Sequence, residues 1–248
     1  MNHKINTFIA ALGILAAGST NSVVALAAEK EQPKSEAMPT VDEVISKYVQ
    51  AIGGKEAVEK LTSQVAKGSI QFGDASESKP FEFYKKAPDK WRADHADTWQ
   101  GFNGKVGWQK QSDGVKELGI NQVTATTRLV QINRPIRFQA LFPKMKLKGK
   151  QSIGDHEAFV IETPPAEGGQ YFAFDTRTGL LVSEIEVFDS EGTQIRNEIY
   201  YDDYRDVSGV KVPFTMRATG TDNWTIKFKE VKNNVPIEDA KFEKPSGK

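Results

Sequence analysis

Residues 208–229 read Ser-Gly-Val-Lys-Val-Pro-Phe-Thr-Met-Arg-Ala-Thr-Gly-Thr-Asp-Asn-Trp-Thr-Ile-Lys-Phe-Lys, and their period is two. Val210, Val212, Phe214, Met216 and Ala218 alternate with Lys211, Pro213, Thr215 and Arg217. Trp224, Ile226 and Phe228 then alternate with Thr225, Lys227 and Lys229. A strand sends successive side chains to opposite faces, so each run has one apolar and one wet face, the pattern of an antiparallel sheet covered on one side. Ser208-Gly209 predicts a reversal before the first run. Pro213, on the wet face and without an N–H to donate, predicts an edge or a bulge.

The same period extends outward. Ala66, Gly68, Ile70 and Phe72 alternate with Lys67, Ser69 and Gln71, and Phe81 and Phe83 with Glu82 and Tyr84. Asp175-Thr176-Arg177-Thr178-Gly179 and Asp189-Ser190-Glu191-Gly192 read as type I turns closed by a glycine bulge. Asn103-Gly104 reads as a two-residue type I′ turn, which would set Trp99 opposite Trp108. Lys144, Lys146, Lys148 and Lys150 alternate with Met145, Leu147 and Gly149, as in a sheet edge guarded by charge. Helical spacing occurs in two places. Thr40 and Glu43 form a capping box ahead of Val41, Val44, Ile45, Tyr48, Val49 and Ile52, Gly53-Gly54 ends that run, and a short helix is expected over Lys55 to Leu61. Between Gly119 and Phe142, Val123, Thr127 and Val130 keep helical spacing, with Asn121 as a cap. Asn133-Arg134-Pro135 then breaks the run, and a second short helix is expected over Ile136 to Leu141. The expected fold is mainly β with some α: a single domain over residues 40–248, holding a curled antiparallel sheet of about eleven strands, an incomplete barrel covered by a few short helices.

Composition bounds what this fold can be used for. The chain has 248 residues, with 33 basic and 33 acidic residues, no Cys, and 14 Phe, 6 Tyr and 4 Trp. Balanced charge argues against nucleic acid as a partner, since phosphate binding requires a basic surface. The absence of Cys removes disulfides, thiolate chemistry, zinc–cysteine sites and an N-terminal lipid anchor on Cys. Residues 1–27 read as a secretory signal peptide, with Lys4 before the apolar stretch Phe8 to Ala17 and a cleavage site at Ala25-Leu26-Ala27. Residues 28–39 are polar and proline-bearing, a leader expected to be disordered. An exported chain without Cys fits a bacterial periplasm better than a disulfide-stapled secretion.

No catalytic pattern stands out. His95 and His156 are far apart, no His-Glu-x-x-His or Gly-x-Ser-x-Gly is present, and no glycine pair follows a phosphate-loop pattern. Asp202, Asp203 and Asp206 form the densest acidic cluster, where a turn would also place them. No metal, no cofactor and no catalytic residue is expected.

Several stretches carry a family resemblance. These are AIGGKEAVEKL at 51–61, KGSI at 67–70, PDKWR at 88–92, GFNGKVGW at 101–108, FDTRTGLLVSE at 174–184 and YYDDYRDVSGVKVPFTMR at 200–217. Together they resemble the outer-membrane lipoprotein-sorting protein family, the LolA/LolB-like superfamily, over residues 40–245. The resemblance implies a half-barrel around an apolar cavity, and a non-enzymatic periplasmic carrier or binder of acyl chains of a lipid or lipoprotein, in transport and outer-membrane biogenesis. That family gates its lid with an Arg, a role the resemblance assigns to no position here.

The ligand-binding residues expected on this reading are Phe81, Phe83, Trp99, Trp108, Val212, Phe214, Trp224 and Phe228 on one concave sheet surface. Val123, Val130, Phe138 and Phe142 would point inward from a lid. The expected state is a monomer that makes transient membrane or envelope-protein contacts. The alternative is a periplasmic interaction or sensor module with a filled core and no small-molecule ligand.

Overall fold

The computed structural model describes residues 37–95, 98–164, 169–190, 193–221 and 223–246. The expected signal peptide and most of the expected leader lie outside the described residues, as do positions 191 and 192 of the turn expected at Asp189–Gly192.

Two helices open the domain, α1 (Val41–Ala51) and α2 (Lys55–Glu59). The Thr40 hydroxyl accepts from Glu43 N–H, and the Glu43 carboxylate accepts from Thr40 N–H at 2.7 Å, so the capping box forms as its residues require. A first meander follows: β1 (Ser63–Phe72), β2 (Lys79–Lys86), β3 (Lys90–His95), β4 (Thr98–Phe102), β5 (Gly107–Gln111) and β6 (Gly114–Glu117). Helices α3 (Ile120–Val130) and α4 (Arg134–Leu141) come next. The second meander is β7 (Lys146–Ile153), β8 (His156–Glu162), β9 (Gln170–Asp175), β10 (Leu181–Ser190), β11 (Thr193–Val207), β12 (Val210–Thr219) and β13 (Trp224–Asn233).

Among the described residues, all thirteen strands share one antiparallel sheet, in which β1 pairs with β13 to join the meanders while β6 and β7 form its two edges. The count exceeds the expected eleven. Strands such as β4, β5 and β6, four or five residues long, are too short for alternation to separate them. The lysine-bearing strand is an edge, with Lys148 and Lys150 paired to Glu162 and Glu157 of β8. Pro213 pairs with Tyr204 of β11 beside the left-handed Asp203 (φ 53°), in an unshifted register, and lies outside the stretch of β12 that pairs with β13, so its missing N–H costs no ladder bond there, an edge-like position rather than a bulge. Asp202, Asp203 and Asp206 serve this local backbone turn and the one that follows: Asp202 accepts from Asp203 N–H, Asp206 accepts from Gly209 N–H, and Asp203 pairs with Arg205.

The chain leaves the sheet at one edge and re-enters at the other, so α3 and α4 must cross its face. Trp91 on β3 donates to the Thr127 hydroxyl on α3 at 3.1 Å, and Arg134 on α4 pairs with Glu184 on β10. Six strand intervals separate β3 from β10, ~29 Å in a flat sheet at the usual spacing. Seven positions, mostly helical, connect the two contacts, so the sheet is curled around the helices.

One expectation about register is corrected. Phe102 pairs with Gly107, Gly101 with Trp108 and Trp99 with Lys110, so Asn103-Gly104 is not a two-residue turn. The Asn103 side-chain oxygen accepts from Lys105 N–H at 2.9 Å and Val106 N–H at 2.8 Å, folding residues 103–106 into a four-residue loop. This moves the pairing by two residues. The tryptophans keep a common face but no longer stand opposite each other. Helix α3 also begins after Gly119 with no side-chain cap, so Asn121 does not cap it.

Candidate ligand-binding face

The pairing registers separate the described strand residues that face the helices from those on the far side. On the helix side, Phe81, Phe83 and Lys85 of β2 pair with His95, Ala93 and Trp91 of β3. Across β1 they continue to Val231, Phe228 and Ile226 of β13, and from there to Met216 and Phe214 of β12. Tyr201 and Ile199 of β11, Glu184 of β10, Phe172 of β9 and Ile161 of β8 complete this side.

Two apolar clusters occupy it. The first is sealed by helices: Tyr48 of α1 and Phe138 of α4 lie among Phe142, Phe172 and Phe174, with ring centroids 4.9–6.2 Å apart. The second comprises Ala66, Ile70, Phe81, Ala93, Phe214, Ile226, Phe228 and Val231, every one from a strand. Val212 and Met216 touch both clusters, and half-buried Phe83 and Trp224 pack at the margin of the second. Phe72, 40% exposed, ends the strand beside it.

A polar core lies within the helix-sealed cluster. Arg134 and Glu184 make a bidentate pair (Nη2 to Oε1 2.6 Å, Nη1 to Oε2 3.0 Å), and the Tyr201 hydroxyl donates to Glu184 at 3.1 Å. The guanidinium also lies over the rings of Phe138 and Phe172, at 5.0 and 5.4 Å. Burial favours a neutral Arg134, but the Glu184 carboxylate overrides it and holds the charge firmly in place. Burial pushes Tyr48 up to about 12 and Tyr201 well above its ordinary value, so both remain neutral phenols. Glu186, on the same side, is raised by burial and by the nearby Glu184 charge. The arrangement is a buried clamp between α4 and the sheet.

Of the expected binding residues, Phe81, Phe83, Val212, Phe214, Trp224 and Phe228 come together at the strand-built cluster. Phe138 and Phe142, each 1% exposed, are instead fully enclosed in the helix-sealed cluster. Val123 is buried on α3, where a side chain at Gly107 would collide with it, and Val130 is half-buried at the helix end.

Trp99 and Trp108 do not join this surface. They lie on the far side, where the Arg92 guanidinium sits 5.2 and 5.4 Å from their ring centres. Trp108 fits into the space left by Gly101, where a Cβ would stand 2.8 Å from its ring. Its indole N–H donates to Phe242 O at 2.8 Å. The C-terminal segment with its short helix Asp239–Phe242 covers these residues, and a pattern of period two cannot foresee which face a distant terminus will occupy.

Sequence reasoning passed over Trp91, Lys85, Arg134 and Glu184. Lys85 was readable, since it continues the register of Phe81 and Phe83 onto the apolar face. Glu184 was not, because a bulge between Leu181 and Ser183 reverses the register of β10 just before it.

Among the described residues, no three His, Asp or Glu are grouped closely enough to hold a metal, and no described helix is long and apolar enough to cross a membrane. His156 Nδ1 lies 2.8 Å from Asp175, whose other oxygen accepts from Thr178 N–H and its hydroxyl, so this His braces a turn.

No protein-family model and no curated protein sequence matches the chain. Solved structures do match. A DUF1329 family protein of Desulfovibrio piger superposes with a TM-score of 0.58 at 14% identity, covering 83% of this chain and 98% of the other. A domain described as that of an outer membrane lipoprotein-sorting protein of Vibrio parahaemolyticus gives 0.54 at 12%, covering 81% and 94%. A LolA superfamily protein of Nitrosomonas europaea gives 0.53 at 12%, covering 84% and 99%. The chain therefore has the fold of the lipoprotein-sorting proteins, in agreement with the resemblance read from its hairpins.

Proposed function

We propose that this protein is a non-enzymatic carrier or binder of an apolar ligand, an acyl chain of a lipid or lipoprotein, acting in the periplasm after export through its N-terminal segment. The observation that carries this reading is the strand-only cluster. A curled sheet gathers the buried Phe81, Phe214, Ile226 and Phe228 without any helix, with half-buried Phe83 and Trp224 at the margin, on the side that the fold turns inward. Such a surface accepts methylene chains without directional bonds, at roughly 0.8 kcal/mol per buried CH₂. The names of the similar structures, a lipoprotein-sorting domain and a LolA superfamily protein, support the same ligand class.

A displaced-dye assay with palmitate and a dipalmitoylated lipopeptide tests the proposal. Saturable displacement that survives high salt is expected, and Phe83→Glu should weaken it at least tenfold, since its side chain is at the margin and the variant can fold. Absence of displacement by both probes from folded wild-type protein would overturn the reading.

A further inference from the structure

Lys85 stands out on the inward side. Its amine makes no hydrogen bond or ion pair to any described residue, and its one polar interaction is with the Phe83 ring, 5.1 Å to the centroid. Its strand neighbours are Gln64, which is engaged with Asn233 at 2.9 Å, and Trp91, which is engaged with Thr127. Glu184, the carboxylate of the adjoining cluster, is committed to Arg134 and Tyr201. Lys85 is only half-buried by area, yet protein surrounds it so closely that burial, aided by the Arg134 charge, pushes its amine down to about 8. Half-buried on the helix side and in contact with the Phe83 ring, Lys85 adjoins the strand-built cluster against which Phe83 packs. A lysine there disfavours the folded state while protonated, because folding lowers its proton affinity.

We infer that Lys85 is the headgroup anchor of the apolar site, and that the ligand is an anionic amphiphile whose carboxylate or phosphate pairs with its ammonium while the chain lies along Phe81, Phe83 and Phe228. The inference rests on the carrier reading and narrows it to a ligand class. The pairing is worth more here than at a fully exposed site, since the protein around half-buried Lys85 excludes part of its water. It also gives the bound chain a direction, headgroup toward α3 and α4 and tail along the strand-built cluster.

The test compares palmitate and monohexadecyl phosphate with uncharged hexadecanol in the displaced-dye assay, on wild-type protein, Lys85→Met and Lys85→Arg. Wild type should bind one or both anions at least tenfold more tightly than hexadecanol, and the stronger anion identifies the headgroup chemistry. Lys85→Met should lose that preference, retain hexadecanol binding and melt no lower than wild type without ligand. Lys85→Arg should keep a preference. Equal binding of all three probes by wild type, or an anion preference that survives in Lys85→Met, would overturn the anchor and leave the carrier reading intact. No binding of any probe would overturn the carrier reading itself.

Discussion

At the residue scale, the buried Arg134 and Glu184 each depend on the other for compensation. Glu184→Leu or Arg134→Met leaves the other group buried and uncompensated, and each should lower stability by about 3–5 kcal/mol. The double variant Arg134→Met/Glu184→Leu should recover most of that loss, because it removes the desolvation penalty together with the attraction. Urea unfolding of the four proteins reads the cycle. Asp175 supplies a pH dependence. Burial raises its pKa, but bonds from Thr178 N–H, His156 and the Thr178 hydroxyl outweigh that and bring it down to about 2. Its contribution is complete above the unfolded-state value near ~4 and disappears as pH falls toward 2. Asp175→Asn should cost about 1–3 kcal/mol at pH 7 and little at pH 2, measured by denaturant melts at both. Lys85 could be read from alternation alone, whereas the Arg134–Glu184 clamp, which joins residues 50 positions apart, could not.

At the element scale, the helices differ in what holds them. Helix α1 has its capping box and buries Val44, Ile45, Tyr48 and Val49. Helix α3 has no side-chain cap, buries only Val123 and Thr127, and leaves Ile120 76% exposed. Amides of α3 should therefore exchange with solvent well before those of α1, and hydrogen exchange followed by mass spectrometry reads the order. Helix α4 is pinned by Phe138 within four aromatic contacts, so Phe138→Ala should cost about 3–5 kcal/mol. A lid that opens would thus move at α3, with α4 fixed to the sheet. Periodicity located all these elements to within a few residues. It failed at the β4–β5 hairpin because Asn103 can serve either as a turn residue or as a side-chain acceptor, and the second use won.

At the scale of the whole molecule, the curl of the sheet follows from connectivity. A segment of 28 residues, 118–145, joins the two edges, so the thirteen strands wrap around α3 and α4. The C-terminal segment closes the far side through Lys86 and Lys90 on Asp239, Trp108 on Phe242 and Lys244 on Glu117. Aromatic residues on that side serve stability, as Phe138, Phe142, Phe172 and Phe174 do on the inward side, where the proposal assigns only the strand-built cluster to the ligand. This division was not legible in the sequence, since Trp108 and Phe228 carry the same local signal and differ only in what a remote segment does. The most direct measurement is native mass spectrometry of the protein released from a bacterial periplasm without detergent. A lipid-sized adduct is expected, which organic extraction identifies as an acyl-bearing anion and which delipidation removes and palmitate restores. Bare protein alone, with no adduct formed at saturating palmitate, would contradict the carrier reading.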